Sequence, residues 1–98
     1  MPLNVLGVLT IQLNLPGCRS LKEKRSQLKP LLARLHREFN ISVAEMGLQD
    51  KWSFAVISCA MLGNDTAHLQ RSLETVRKWV DGNWPDGMVV DNKIEIIK

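Results

Sequence analysis

The sequence is poor in the residues that stabilise small extracellular domains. It contains two cysteines, Cys18 and Cys59, which lie far apart and form no CxxC pair. A small secreted domain held by disulfides normally carries more cysteines at regular spacing. Cys59 lies inside an apolar run, so we expect a buried free thiol there. The cysteine content therefore argues against a disulfide scaffold.

Long hydrophobic runs are also absent. No segment approaches the roughly 18 apolar residues that a membrane-spanning helix needs. The first residues, Met1-Pro2-Leu3-Asn4, have neither the charged region nor the apolar region of a secretory signal. With 98 residues and 45% hydrophobic content, the chain fits one folded domain over 1–98. We expect a cytoplasmic protein that does not contact a membrane.

The sequence carries no recognisable catalytic or metal-binding motif. It has no Gly-rich phosphate loop, no GxSxG and no pair of carboxylates at catalytic spacing. Its two histidines, His36 and His68, fall on different predicted helices, and no Cys/His/Asp cluster has metal-ligand spacing. We therefore expect a protein that is not an enzyme and that needs neither a cofactor nor a metal.

Hydrophobic periodicity predicts a strand followed by a helix in the first part of the chain. Residues 3–15 alternate, with Leu9, Ile11, Leu13 and Leu15 on one face. Pro16-Gly17 ends this strand, and Ser20-Leu21-Lys22-Glu23 has the pattern of a helix capping box. Apolar residues then recur at helical spacing until Asn40, with Pro30 inside the helix and nearly opposite the apolar stripe.

The remaining chain predicts a strand over 41–47, a turn at Gln49-Asp50-Lys51 and an apolar strand over Trp52–Leu62. A second helix, preceded by Gly63-Asn64-Asp65, runs to about Asp81, and a loop over 82–87 leads to a last strand, Met88–Ile97. Right-handed crossovers give this βαββαβ order an α+β, ferredoxin-like fold. We expect four antiparallel strands with strands 1 and 3 in the centre, two helices on one face and the other face open.

Positive charge is concentrated in one segment. The net charge is only +3, but residues 19–38 hold seven Lys/Arg against two Glu. We take five of them as candidate nucleic-acid-binding residues, since clustered cations at a helix N-terminus suit phosphate: Arg19, Lys22, Arg25, Lys29 and Arg37. The alternative is a solvated helix face. Glu45 is expected to point inward and to pair with Lys24 or Arg25.

The open sheet face is the second candidate surface. Val8 and Thr10 on the first strand, and Phe54 and Val56 on the third, should share this face. It offers too few aromatic residues to resemble the base-stacking platform of an RNA-recognition motif. Its apolar character favours a homodimer or a ligand-binding face. Trp52 in the Gln49-Asp50-Lys51-Trp52 turn either binds a partner or folds over the sheet edge.

Three sequence blocks together resemble the YlxP-like family of uncharacterised bacterial proteins. They are Arg19-Ser20-Leu21-Lys22-Glu23-Lys24-Arg25, Val43-Ala44-Glu45 and Gln49-Asp50-Lys51-Trp52, and the similarity continues through Gly63-Asn64-Asp65. The resemblance implies a ferredoxin-like fold, a bacterial cytoplasm and a gene neighbourhood of transcription, translation and ribosome-assembly factors. It implies no established activity. We hypothesise an RNA- or ribosome-associated accessory module that acts through the basic helix, or alternatively a homodimeric small-molecule or protein-interaction domain.

Overall fold

The computed structural model describes residues 4–47, 51–84 and 88–97. Six elements follow one another in the predicted order, and they are β1 (Val5–Asn14), α1 (Leu21–Glu38), β2 (Ser42–Met46), β3 (Phe54–Gly63), α2 (Thr66–Asn83) and β4 (Met88–Ile97). The strands form one antiparallel sheet in the order β2-β3-β1-β4. This confirms the predicted α+β, ferredoxin-like fold with β1 and β3 in the centre.

The core lies between one face of the sheet and the two helices. Alternate residues of β1 and β3 are fully buried, which confirms the predicted inward faces of these strands. From α1 and α2 the core receives Leu28, Leu31, Leu35, Leu69, Leu73, Val76 and Val80. Both helices contribute to this one cluster, so the opposite sheet face has no helix over it.

The capping box at the start of α1 is confirmed with one difference. The hydroxyl of Ser20 accepts a hydrogen bond from the Glu23 amide at 3.0 Å, as the pattern predicts. The Glu23 carboxylate accepts from the amide of Arg19 at 3.1 Å, one residue before the cap. The helix continues through Pro30, whose ring faces solvent, so the carbonyl that loses its partner lies where water can reach it. Its last helical residue is Glu38, and Phe39 is the C-cap, one residue before the predicted end at Asn40.

Several predicted boundaries were displaced by short distances. β3 begins at Phe54 rather than at Trp52, and α2 ends at Asn83 rather than near Asp81, because Asn83 bonds back through its side chain to the Trp79 carbonyl at 2.8 Å. Asp65 caps α2 as expected, accepting from the Ala67 amide at 3.1 Å. Gln49 and Asp50 of the predicted turn, and residues 85–87 of the predicted loop, lie outside the described residues.

Candidate functional site

Lys24 is a cation of α1 that the fold uses internally. Its side chain is 1% exposed, and its Nζ lies 3.0 Å from Oε2 of Glu45 on β2. The same Nζ donates to the backbone carbonyl of Lys51 at 2.8 Å. A buried ammonium requires both a counter-ion and hydrogen-bond acceptors, and these two contacts supply them. Of the two partners predicted for Glu45, the structure therefore selects Lys24.

This contact unites the three sequence blocks that carry the family resemblance. Lys24 belongs to the first block, Glu45 to the second and Lys51 to the third. The helix start, the end of β2 and the segment before β3 meet at one ammonium group. The three blocks therefore lie together at one end of the molecule, around the Lys24 ammonium.

Arg34 is a second cation with an internal role. Its guanidinium carbon lies 5.0 Å from the ring centre of Trp79 on α2, and its Nη2 donates to Oδ1 of Asn83 at 3.2 Å. Trp79 also meets Phe39 edge to face, with 5.8 Å between ring centres. This group ties α1 to α2 through a cation–π contact and an aromatic pair. Arg34 is therefore occupied in joining the helices.

The other five cations of the segment are all exposed, and they are the five nucleic-acid-binding candidates. We call them the basic surface of α1: Arg19, Lys22, Arg25, Lys29 and Arg37. None of them forms an ion pair within the part of the chain that the structure describes. Their charges are therefore available to an external anion.

Three members of the basic surface share one flank of the helix. At 100° per residue, Lys22, Arg25 and Lys29 fall within about 60° of one another and span about 10 Å along the axis. Ser26, Gln27, Pro30 and Arg34 line a cleft of about 280 Å³ with Asn83 and Trp84 of the α2 end. The three cations lie on the flank that faces away from this cleft, and they form a continuous positive strip.

Arg19 and Arg37 stand apart from this strip. Arg37 lies in the last turn of α1, about 12 Å beyond Lys29 along the axis, where a cation also stabilises the helix dipole. Arg19 precedes the helix, where Ser20 and Glu23 already occupy two of the amides at the helix start. An anion at this end would therefore contact side chains more than backbone amides.

The open face of the sheet contains the four residues predicted for it. Cross-strand register places Val8 opposite Ala60, Thr10 opposite Ser58, Gln12 opposite Val56 and Asn14 opposite Phe54. Among the side chains of this face that the structure describes, four large apolar ones are exposed: Met46, Phe54, Leu62 and Ile97. The β4 side is more polar and carries Asp91, Lys93 and Glu95 beside a concave region of about 330 Å³. Sequence reasoning did not identify these β4 residues, because the strand pairing determines which of them lie on the open face.

The described residues bring together no group of three His, Cys, Asp or Glu side chains that could hold a metal ion. Within the same part of the chain, neither helix is long and apolar enough to cross a membrane. Cys59 is fully buried and forms no disulfide, and burial raises the pKa of its thiol to about 11. A raised pKa keeps the thiol protonated and unreactive at neutral pH. The two candidate surfaces are distinguished by charge on α1 and by apolar exposure on the open sheet face.

The sequence matches a family described as "Protein of unknown function (DUF503)" over residues 6–94, and the chain belongs to this family. Among its relatives, the "Uncharacterized protein YlxP" of Bacillus subtilis (strain 168) is 36% identical over 62 residues, which cover 63% of this chain and 67% of that protein. The resemblance inferred from the three sequence blocks is confirmed. Among solved structures, the chain is similar to the de novo designed protein Foldit4, with 14% identity, 97% of each chain covered and a TM-score of 0.46.

Proposed function

We propose that this protein is a non-enzymatic, cytoplasmic accessory module that binds RNA, alone or within the ribosome, through the basic surface of α1. One observation carries the proposal. The fold uses Lys24 and Arg34 internally, while the other five cations of the segment remain exposed and form no ion pair with the described residues. Phosphate contacts supply most of the sequence-independent affinity for a nucleic acid.

The strip of Lys22, Arg25 and Lys29 matches a phosphate backbone in spacing as well as in charge. It extends about 10 Å along the helix, which is enough to contact two or three successive phosphates of one strand. The strip itself contains no acidic residue. We therefore expect binding that depends weakly on base sequence and strongly on salt concentration.

The test is a triple variant, Lys22→Gln, Arg25→Gln and Lys29→Gln, titrated with RNA at several salt concentrations. If three phosphate contacts are lost, the slope of log K against log salt should decrease by about two to three units. A matched control, Arg71→Gln, Lys78→Gln and Lys93→Gln, removes the same residue types from exposed positions on α2 and β4. It should keep most of the affinity. Equal losses in both variants, or no affinity in the parent at low salt, would overturn the proposal.

A second candidate function is supported by the exposed apolar residues of the open sheet face. Met46, Phe54 and Leu62 leave the β2–β3 half of this face partly apolar, which is unfavourable in water unless it is covered. A sheet of three ten-residue strands and one five-residue strand offers about 550 Å² per face, below the roughly 800 Å² per partner of a standard interface. We propose that a second copy of the chain covers this face, either in addition to RNA binding or as a dimeric interaction domain.

Light scattering at micromolar concentration tests the dimer. The parent should be dimeric at low and at high salt, since apolar burial is little affected by screening. Val56→Lys should produce a folded monomer, whereas Gln70→Lys, at an exposed position on α2, should leave the dimer intact. A parent that is monomeric at these concentrations would rule out this second function.

A further inference from the structure

We infer that Trp52 is a stacking platform for an unpaired base, so that the RNA bound by the basic surface of α1 is single-stranded where it passes the start of the helix. The inference rests on the proposed function and specifies its substrate. Trp52 is 53% exposed, which makes it the most exposed of the five aromatic side chains. Its exposed indole lies outside both the core and the Arg34–Trp79 contact between the helices.

The Lys24 ammonium holds the segment of Trp52 against the first turns of α1. Its hydrogen bond to the Lys51 carbonyl involves the peptide group that joins Lys51 to Trp52. The backbone of Trp52 therefore lies no farther from the first turns of α1 than the length of one lysine side chain. The Glu45 carboxylate fixes the ammonium from the other side at 3.0 Å. An aromatic side chain whose backbone is held in this way loses little conformational entropy when a base stacks on it.

Exposed cations lie on both of the segments that the Lys24 ammonium joins, the first turns of α1 and the residues just before β3. Lys22 and Arg25 lie next to Lys24 in the sequence, but at 100° per residue they project away from the core side on which Lys24 is buried. Lys51 is itself exposed and immediately precedes Trp52. A single strand can place phosphates on these cations and a neighbouring base on the indole. Cations alternating with an aromatic residue are the usual composition of single-strand binding surfaces.

The pairing state of the RNA follows from the geometry of stacking. In a duplex, each base is already stacked on its neighbours and presents only its edge in the grooves, so an isolated indole has no free face to contact. An unpaired base exposes its face, and stacking tolerates any base because all have a π-face. The open sheet face has Thr10, Gln12 and Ser58 at its centre, and the aromatic side chain that it presents among the described residues, Phe54, is 37% exposed against 53% for Trp52.

The experiment compares a single-stranded RNA of about 12 nucleotides with a duplex of equal charge, in titrations with the parent and with Trp52→Leu. Trp52→Leu should weaken single-strand binding about 5- to 150-fold and leave duplex binding unchanged. Trp52→Phe, which keeps a ring, should retain most of the affinity. Val90→Ala is the matched control, because it truncates another exposed apolar residue, on the edge strand β4.

The outcomes separate this inference from the function on which it rests. If the parent binds RNA and the Gln triple variant does not, but Trp52→Leu binds the single strand like the parent, the stacking role is wrong and the proposed function stands. Preference of the parent for the duplex also overturns the inference. If the parent binds neither RNA, both fail. The fluorescence of Trp52, taken as the difference between the parent and Trp52→Phe, gives a second measurement. Binding of a single strand should quench this fluorescence and reduce its further quenching by iodide.

Discussion

Gly7 on β1 faces Leu73 on α2 so closely that a Cβ atom at position 7 would lie 2.6 Å from Cδ1 of Leu73. The same atom would lie 3.0 Å from Cγ of Leu69. Both leucines are buried, so the absence of a side chain at Gly7 allows α2 to pack directly on the central strand. A side chain at position 7 would therefore require Leu73, and to a smaller extent Leu69, to shift within the core.

We expect Gly7→Ala to destabilise the protein by about 1–3 kcal/mol, the usual cost of overpacking a closed core. Adding Leu73→Val, which removes the clashing Cδ1 atom, should make the double variant more stable than the sum of the two single effects predicts. Urea unfolding measures the loss of stability in Gly7→Ala and its recovery in the double variant. An unchanged m-value shows that the difference is one of stability.

Gly82→Ala is the matched control for this prediction. Gly82 lies near the end of α2, and a Cβ atom there would have no neighbour within 4 Å. Alanine should stabilise the helix by about 0.5–1 kcal/mol through its higher propensity. If the two alanine variants lose stability equally, close packing at Gly7 is not the cause.

Breaking the Lys24–Glu45 ion pair should cost about 3 kcal/mol, because Glu45→Gln leaves a buried ammonium without its counter-ion. Replacing both residues, by Lys24→Met with Glu45→Leu, should cost less than Glu45→Gln alone, since no buried charge then remains. Lys22→Met, at an exposed position two residues away, should change stability by no more than about 0.5 kcal/mol. A loss for Glu45→Gln as small as that of Lys22→Met would contradict this account.

Leu28 and Leu35 lie in the centre of the core side of α1, and each is at most 2% exposed. We expect Leu28→Ala or Leu35→Ala to cost about 2–5 kcal/mol through lost burial and the cavity that remains. Leu62→Ala makes the same truncation at a side chain that is 73% exposed and should have little effect on chemical unfolding. A similar midpoint for all three variants would refute the assigned core.

The thiol of Cys59 should make the protein less stable at alkaline pH. Its pKa is raised from the ordinary 9.0 to about 11, so between these values the unfolded chain loses the proton while the folded chain keeps it. The free energy of unfolding should then fall as pH rises, by about 1.4 kcal/mol per pH unit, with no contribution well below pH 9. Other groups titrate in this range, so the measurement is the difference in slope between the parent and Cys59→Ala. Parallel slopes would show that Cys59 does not contribute.

The sequence alone predicts most of the secondary structure, because local interactions determine it. Alternation in β1 and the hydroxyl of Ser20 at the start of α1 act within a few residues, and both are confirmed. The predicted ends of elements, such as the start of β3, were less accurate, because an end depends on where pairing with a neighbouring strand begins. The order of elements and the handedness of crossovers were then sufficient to predict the sheet.

The candidate surfaces were only partly accessible from sequence. Seven cations in residues 19–38 look equivalent in a composition count, and the sequence left open whether Glu45 pairs with Lys24 or with Arg25. Their partners lie far away in the chain, with Glu45 and Lys51 around Lys24 and Trp79 and Asn83 around Arg34. Sequence therefore determined that a positive segment exists. Only the tertiary structure decided which cations neutralise an internal charge, which join the helices and which remain exposed. The reason is that burial and ion pairing depend on residues that meet only after the sheet and both helices have packed together.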